Sequence, residues 1–217
     1  MAPTDTALAA HSICFAYDRE DVLHDVSAQL FHGEVVAIAG ANGAGKTTLL
    51  EILAGTRTPS SGRVIRHGDL ALAVQRPTAP PSLPLTAADT VAIGTWKRGT
   101  RMSASTRRAA IADALGRVGM ADHASRPLTA LSGGQRQRVF LAQGIVRRPD
   151  ILLLDEPAAG LDRESIDRTQ QILAEEAARG AAVACVTHHD AAIASADRVI
   201  LLDRGTLVPE QATLDGW

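Results

Sequence analysis

The sequence is poor in residues that build several common classes of protein. Its 217 residues include two cysteines, Cys14 and Cys185, which are too few and too far apart for a disulfide framework or a cysteine metal site. Both lie in strand-like runs, which predicts buried free thiols in a reducing cytoplasm. Aromatic residues make up 3% of the chain and hydrophobic residues 46%, so the core is expected to be mainly aliphatic.

Long apolar runs and a strong net charge are also missing. No uninterrupted apolar run approaches the roughly 20 residues that cross a bilayer, and residues 1–10 lack the pattern of a signal peptide. The net charge of −2 gives no basic footprint, so we expect no nucleic-acid partner. The seven histidines are scattered rather than at ligand spacing, so we expect no zinc site on this chain.

What the sequence does contain is a glycine-rich loop between a predicted strand (34–39) and a predicted helix (48–54) that Gly55 would end. Residues 40–47 read G-x-x-x-x-G-K-T. Glycines let backbone N–H groups turn towards phosphate oxygens, and the helix N-terminus adds partial positive charge. Lys46 would contact the β- and γ-phosphates of a nucleotide, and the Thr47 hydroxyl would bind Mg²⁺. A chance glycine-rich turn is the alternative. The predicted phosphate site comprises Gly40, Ala41, Asn42, Gly43, Ala44, Gly45, Lys46, Thr47 and Thr48.

Two carboxylates follow the continuous apolar run 151–154, which predicts a parallel strand buried on both faces. Because side chains alternate along a strand, Asp155 and Glu156 should point in different directions and serve different roles. We expect Asp155 to hold Mg²⁺ beside Thr47, and Glu156 to polarise a water for in-line attack on the γ-phosphate. The alternative is a pair of solvated loop residues.

A second glycine-rich turn precedes a helix predicted over 136–146. It is shaped as an anion site at a helix N-terminus, with a serine able to cap the helix and contact phosphate. Because it lacks a lysine and the chain already has a phosphate site, we expect it to serve a nucleotide held by a second copy. A capped helix start without a ligand is the alternative. Its residues are Leu131, Ser132, Gly133, Gly134 and Gln135.

The order of predicted elements indicates an α/β fold with an insertion. Strands predicted within 11–17, 22–30, 63–65 and 70–75 suggest an antiparallel β portion on the N-terminal side of the core. The segment 76–84 contains four prolines and excludes regular helix or central strand, and helices over 86–93 and 105–118 follow. Strands over 181–187 and 199–202 and helices over 163–179 and 190–196 complete the pattern. We predict one domain, with a core of residues 1–75 and 146–217 and a helical subdomain of residues 76–145.

Together these motifs resemble the nucleotide-binding subunits of ATP-binding-cassette (ABC) transporters. The turn 131–135 matches that family's signature motif, and the order of motifs matches over nearly the whole chain. The resemblance implies an ABC-type fold with a RecA-like phosphate-loop core, and ATP hydrolysis with Mg²⁺ in which loss of Lys46, Glu156 or His188 stops turnover. It also assigns four roles: stacking on adenine to Tyr17, contact with Mg²⁺ and the attacking water to Gln75, communication across a dimer to Asp162, and contact with the γ-phosphate to His188.

The resemblance also implies an assembly. Two copies would form a head-to-tail homodimer, with ATP between one phosphate loop and the partner's signature turn. Membrane permease subunits would dock near residues 75–96, which places the chain on the cytoplasmic face of the cell membrane, in a complex with an extracytoplasmic solute-binding protein. Residues 74–77, 83–86 and 89–94 resemble zinc/manganese-type importers. Another small-solute importer or an exporter, a soluble ABC protein and a phosphate-loop kinase are the alternatives.

Overall fold

The computed structural model describes residues 5–18, 20–73, 85–97, 102–158 and 160–208. Its strands are β1 (Thr6–Tyr17), β2 (Glu20–Phe31), β3 (Val35–Gly40), β4 (Ser61–Arg66), β5 (Leu70–Ala73), β6 (Ile151–Asp155), β7 (Ala182–Val186), β8 (Arg198–Asp203) and β9 (Thr206–Leu207). Its α-helices are α1 (Lys46–Ala54), α2 (Ala87–Ile93), α3 (Ala104–Arg117), α4 (Gly133–Ile145), α5 (Arg163–Ala178) and α6 (Asp190–Ala194). Within these ranges no helix is long and apolar enough to cross a membrane.

Two sheets of different kinds organise these elements. One is a three-stranded antiparallel sheet in the order β2-β1-β4. The other has the order β5-β6-β7-β3-β8-β9, and it is parallel except for β9 at one edge. The antiparallel portion and the buried parallel core predicted from the sequence are therefore confirmed. One strand was misplaced: the strand predicted within 70–75 is β5, which pairs in parallel with β6 and belongs to the core rather than to the antiparallel portion.

Two clusters of buried apolar side chains cover opposite faces of the parallel sheet. Along β6, Ile151 and Leu153 belong to the cluster shared with α1 and the antiparallel sheet, whereas Leu152 and Leu154 belong to the one shared with α2–α5. This division follows from the alternation of side chains along a strand. It explains why β6 is a continuous apolar run, since a strand buried on both faces has no side left for solvent.

The helices α2, α3 and α4 pack against one another and extend the second cluster beyond the sheet. Polar contacts also tie them to the rest of the chain. Arg117 at the end of α3 forms ion pairs of 2.6 Å with Glu176 and 3.0 Å with Glu175, both on α5. Asp69, in the turn before β5, pairs with Arg147 after α4 and with Lys97 after α2. The helical part is therefore held both by apolar packing and by charge.

One expectation about the cysteines needs correction. Cys185 on β7 is buried as predicted, and burial raises the pKa of its thiol to about 12, which makes it unreactive. Cys14 on β1 is only partly buried, because its sheet leaves part of this strand open to solvent; its sulfur accepts a hydrogen bond of 3.3 Å from the backbone N–H of Asp25.

Candidate nucleotide-hydrolysis site

The phosphate loop connects the end of β3 to the start of α1, as its sequence predicts. The side chain of Lys46, the first residue of α1, is largely buried within the loop. Its ammonium group donates hydrogen bonds of 2.8 Å and 2.9 Å to the carbonyl oxygens of Gly40 and Ala41. An ammonium group has three donors, so these bonds fix the nitrogen in the loop and still allow contact with a phosphate.

Glycine is required at both ends of this loop. Gly40 has a φ of 143°, and a Cβ there would lie 2.1 Å from the carbonyl oxygen of Leu202. Gly45 has a φ of 97°, and its Cβ would lie 2.8 Å from the side chain of Leu23. Gly45 is also the N-cap of α1, so the first N–H groups of the helix open onto the loop. This is a concave, backbone-lined cradle of the kind that binds phosphate.

Asp155 meets Thr47 across the sheet edge. Thr47 lies in the first turn of α1, and Asp155 is the last residue of β6. The Thr47 hydroxyl lies 3.4 Å and 3.3 Å from the two carboxylate oxygens of Asp155. Burial, with the nearby charge of Glu156, raises the pKa of Asp155. A hydroxyl and a carboxylate side by side next to a phosphate cradle are the hard oxygen ligands that suit Mg²⁺.

Asp155 and Glu156 have different side-chain partners: Asp155 lies beside Thr47, and Glu156 contacts His188. His188 Nδ1 lies 3.2 Å from Glu156 Oε1, and both residues follow the carboxyl ends of neighbouring strands. Glu156 has a φ of 47°, a left-handed conformation uncommon for a residue with a side chain. Its N–H donates to the carbonyl of Val186 at 3.0 Å, so the strained backbone is held by β7.

Two residues at this site were not found by sequence reasoning. The buried amide of Gln137, on α4, donates a 3.1 Å hydrogen bond to the backbone carbonyl of Glu156. Gln137 lies four residues before Leu141 and eight before Ile145, so all three share one buried face of α4. A polar residue at the N-terminal end of such an apolar face is the sequence signal that marks Gln137. The second is His189, which stacks on His188 with ring centroids 4.5 Å apart.

The second glycine-rich turn is the capped start of α4. Ser132 is the N-cap: its Oγ accepts from the N–H of Gln135 at 3.2 Å, and the Gln135 side chain accepts from the N–H of Ser132 at 2.9 Å. Leu131 is buried, whereas Ser132 and Gly133 are exposed. Over the described residues, no hydrogen bond or ion pair joins this turn to the phosphate loop of the same chain. The expected contact of this turn with a partner's nucleotide stays a prediction.

The other predicted site residues lie at separate places. Tyr17 ends β1 with 42% of its surface exposed, beside Phe15 in an edge-to-face contact. Asp162 is the N-cap of α5, and the hydrogen bond from the N–H of Ser165 lowers its pKa. Gln75 lies outside the described residues, as does Ala159, which stands where serine is more usual in the family that the motifs resemble. A cleft of about 480 Å³ opens beside the loop, lined in part by Gly40, Ala41, Thr187 and His188.

Comparison with known proteins shows the family of the chain. A family model described as ABC transporter matches residues 23–159. The zinc import ATP-binding protein ZnuC of Cereibacter sphaeroides is 38% identical, over 92% of this chain and 80% of its own. The aliphatic sulfonates import ATP-binding protein SsuB of Mycobacterium avium is 40% identical (96% and 82% covered), and the hemin import ATP-binding protein HmuV of Streptomyces coelicolor is 39% identical (95% and 78% covered).

Solved structures show the same fold. The ATP-binding cassette MJ0796, a dimer in a post-hydrolysis state bound to ADP and Pi, superposes with a TM-score of 0.84 at 25% identity, covering 93% of this chain and 97% of that one. A transporter described as metal-chelate type, in an inward-facing conformation, gives a TM-score of 0.83 at 27% identity, covering 97% and 86%. The chain therefore belongs to the ABC transporter family, and it is an ATP-binding subunit that hydrolyses ATP with Mg²⁺.

Proposed function

We propose that this ATPase powers the import of a divalent metal ion, zinc or manganese. The observation that carries the proposal is the similarity to the zinc-import subunit of Cereibacter sphaeroides along 92% of the chain. The residues near 74–94 that resemble metal importers support it. The sulfonate-import relative, which is 40% identical, makes aliphatic sulfonate the second candidate.

Within this proposal the residues of the loop and strand ends have distinct roles. Lys46 and the N–H groups of the loop bind the phosphates, and Thr47 and Asp155 provide oxygen ligands for Mg²⁺. When bound, Mg²⁺ neutralises charge on the phosphates. The proposed contact of Gln75 with Mg²⁺ and the attacking water would complete this set.

Glu156 would orient the attacking water and accept its proton. To act as the base, Glu156 must be an ionised carboxylate, which can only accept hydrogen bonds, so the nitrogen of His188 that faces it, Nδ1, would be the donor. The ring of His188 then holds the carboxylate and presents Nε2 on its other side. The bond from Gln137 to the Glu156 carbonyl holds the backbone that carries this carboxylate.

The complete site would form between two copies of the chain. The turn 131–135, in which Ser132 and Gly133 are exposed, would close over the nucleotide bound by the partner's loop, and Asp162 would lie near this boundary. A two-fold dimer then contains two equivalent sites, since each copy supplies both halves. ATP would act as the bridge, and its hydrolysis would release the copies.

The dimer would drive permease subunits from the cytoplasmic face of the membrane, with an extracytoplasmic solute-binding protein delivering the ion. The helical subdomain proposed for residues 76–145 would receive the permease near residues 75–96. Exposed Trp96, at 74% of its surface, and Ile93 lie on this segment and suit an apolar contact.

A deletion strain tests the proposed substrate. We expect it to grow poorly when zinc or manganese is limiting and normally when the metal is restored. Wild-type protein should rescue growth and Glu156→Gln should not. If the strain instead fails only with an aliphatic sulfonate as sulfur source, the metal assignment is wrong and the sulfonate assignment replaces it.

A further inference from the structure

The guanidinium group of Arg57 contacts two aromatic rings near the end of β1. The guanidinium carbon of Arg57 is 4.7 Å from the ring centroid of Tyr17 and 5.3 Å from that of Phe15. The two rings meet edge to face, at 83° and 4.9 Å. One cation therefore contacts two mutually perpendicular rings, both within the 6 Å at which a cation is attracted by an aromatic face.

Arg57 is itself anchored to the helix that begins at the phosphate loop. Its Nε donates a 2.6 Å hydrogen bond to Glu51 on α1, and this bond is the first cause of the raised pKa of Arg57. The backbone makes the same link, because the N–H groups of Thr56 and Arg57 both bond to the carbonyl of Glu51. The chain leaves α1 through Gly55 in a left-handed conformation, which directs Arg57 back towards the helix.

We propose that Arg57 is a positioning residue for nucleobase binding. It holds the ring of Tyr17 from one face and leaves the other face for adenine. The proposal rests on the stacking of adenine on Tyr17, which the family resemblance implies, and it adds a residue that none of the phosphate or signature motifs contains. The contacts of Arg57 with Tyr17 and with Glu51 then connect the base-binding ring to α1, whose N-terminus binds the phosphates.

The expected effect of Arg57 is to lower the entropic cost of fixing the Tyr17 ring when the base binds. Tyr17 is 42% exposed at the end of a strand, so without a partner its ring would have to be immobilised when the base binds. A guanidinium stacked on one face fixes the plane of the ring in advance, and Arg suits this role because its own group is planar. Phe15 limits rotation from the side.

Nucleotide binding with and without the base tests this role. The probes are Mg-ADP, which carries the base, and Mg-pyrophosphate, which carries only phosphates. Arg57→Ala should weaken ADP binding about two- to fivefold, the effect of losing one exposed cation–π contact, and leave pyrophosphate binding unchanged. The KM for ATP should rise by the same factor at constant kcat, and Arg57→Lys should recover part of the loss. Arg108→Ala, a change at an exposed arginine of α3, is the matched control and should alter nothing.

A double-mutant cycle with Tyr17→Ala distinguishes the two proposals. Tyr17→Ala should weaken ADP binding about fivefold or more, as expected for loss of base stacking, and adding Arg57→Ala should cost nothing further. If Tyr17→Ala leaves ADP binding intact, the proposed stacking of adenine on Tyr17 is wrong. If Tyr17→Ala weakens binding but Arg57→Ala does not, only the role of Arg57 is overturned. Tighter ADP binding by Arg57→Ala would place the guanidinium on the face meant for the base, and equal loss of pyrophosphate binding would show a merely structural role for Arg57.

Discussion

At the scale of single residues, the strand-end carboxylates show how stability and chemistry oppose each other. Burial raises the pKa of Asp155, and the charge of Glu156 raises it further, so the folded protein disfavours the ionised form. Yet an ionised carboxylate is the form that binds Mg²⁺. Glu156 adds a strained backbone, with a φ of 47°. The raised pKa of Asp155 and the strained backbone of Glu156 both lie at the end of the sheet that faces the phosphate loop, where the two carboxylates are needed for the chemistry.

Asp155→Asn should therefore stabilise the nucleotide-free protein. When folding raises the pKa of a carboxyl group, the free energy of unfolding of the protein falls as the pH rises. The fall begins near pH 4, in the ordinary aspartate range, and ends at the pKa of the folded state. We expect the variant to unfold at a higher temperature than the wild type at pH 7, with the difference shrinking below pH 4. ATPase activity should fall about a hundredfold or more. A variant less stable than the wild type at every pH would contradict this account of the pKa.

Gln137 should affect turnover more than binding. Gln137→Met keeps the volume of the side chain but removes the amide that donates to the Glu156 carbonyl, so the carboxylate is less well placed for its water. We expect kcat to fall about tenfold or more, with less than a twofold change in the KM for ATP. Steady-state kinetics beside Gln171→Met, an exposed site on α5, gives the comparison. A changed KM at constant kcat would mean that Gln137 acts on nucleotide binding instead.

At the scale of elements, the sequence predicts what depends on local pattern and misses what depends on distant partners. The loop, the carboxylates at the end of β6 and the capped turn before α4 were all predicted, because each has a local chemical signature. Strand β1 was expected from residue 11, but it begins at Thr6. Residues 7–10 are all buried between β2 and β4, so they show no alternation. The contacts of Gln137 and Arg57 were missed because their partners are distant. The partner of Gln137 is 19 residues away along the chain, and the ring over which Arg57 lies belongs to another element.

Ser132 lets two functions of one element be separated. It caps α4, and it is proposed to contact the partner's nucleotide. Asparagine caps a helix about as well as serine, so Ser132→Asn should melt near the wild-type temperature, whereas Ser132→Ala should lose about 1 kcal/mol, or about 2–4 °C. Both variants should lose turnover and keep ADP binding by the monomer. Full ATPase activity in Ser132→Asn would reduce the residue to a cap.

At the scale of the whole molecule, the helical part is joined to the sheet by a continuous apolar cluster and by ion pairs at its edges. Glu176 on α5 is the most enclosed of these charges, with 2% of its side chain exposed. It is paired with Arg117 from α3 and with Arg179 from its own helix. The boundaries 76 and 145 proposed for the helical subdomain stay a prediction.

Arg117→Ala should show how far this link stabilises the chain. Removing one of two partners from a buried carboxylate leaves the charge poorly compensated, and we expect a loss of about 2 kcal/mol, or about 4–8 °C in melting temperature. Arg108→Ala on the same helix should melt with the wild type. Equal melting of both variants would mean that apolar packing alone holds α3 to α5.

The central claim is that two copies of this chain share ATP between the loop of one and the signature turn of the other. Light scattering on Glu156→Gln, with ATP, with ADP and without nucleotide, tests it most directly. The account predicts dimers only with ATP, loss of those dimers when Lys46→Ala or Ser132→Ala is added, and almost no hydrolysis. A Glu156→Gln protein that stays monomeric while ATP is bound, or that hydrolyses ATP at the wild-type rate, would contradict it.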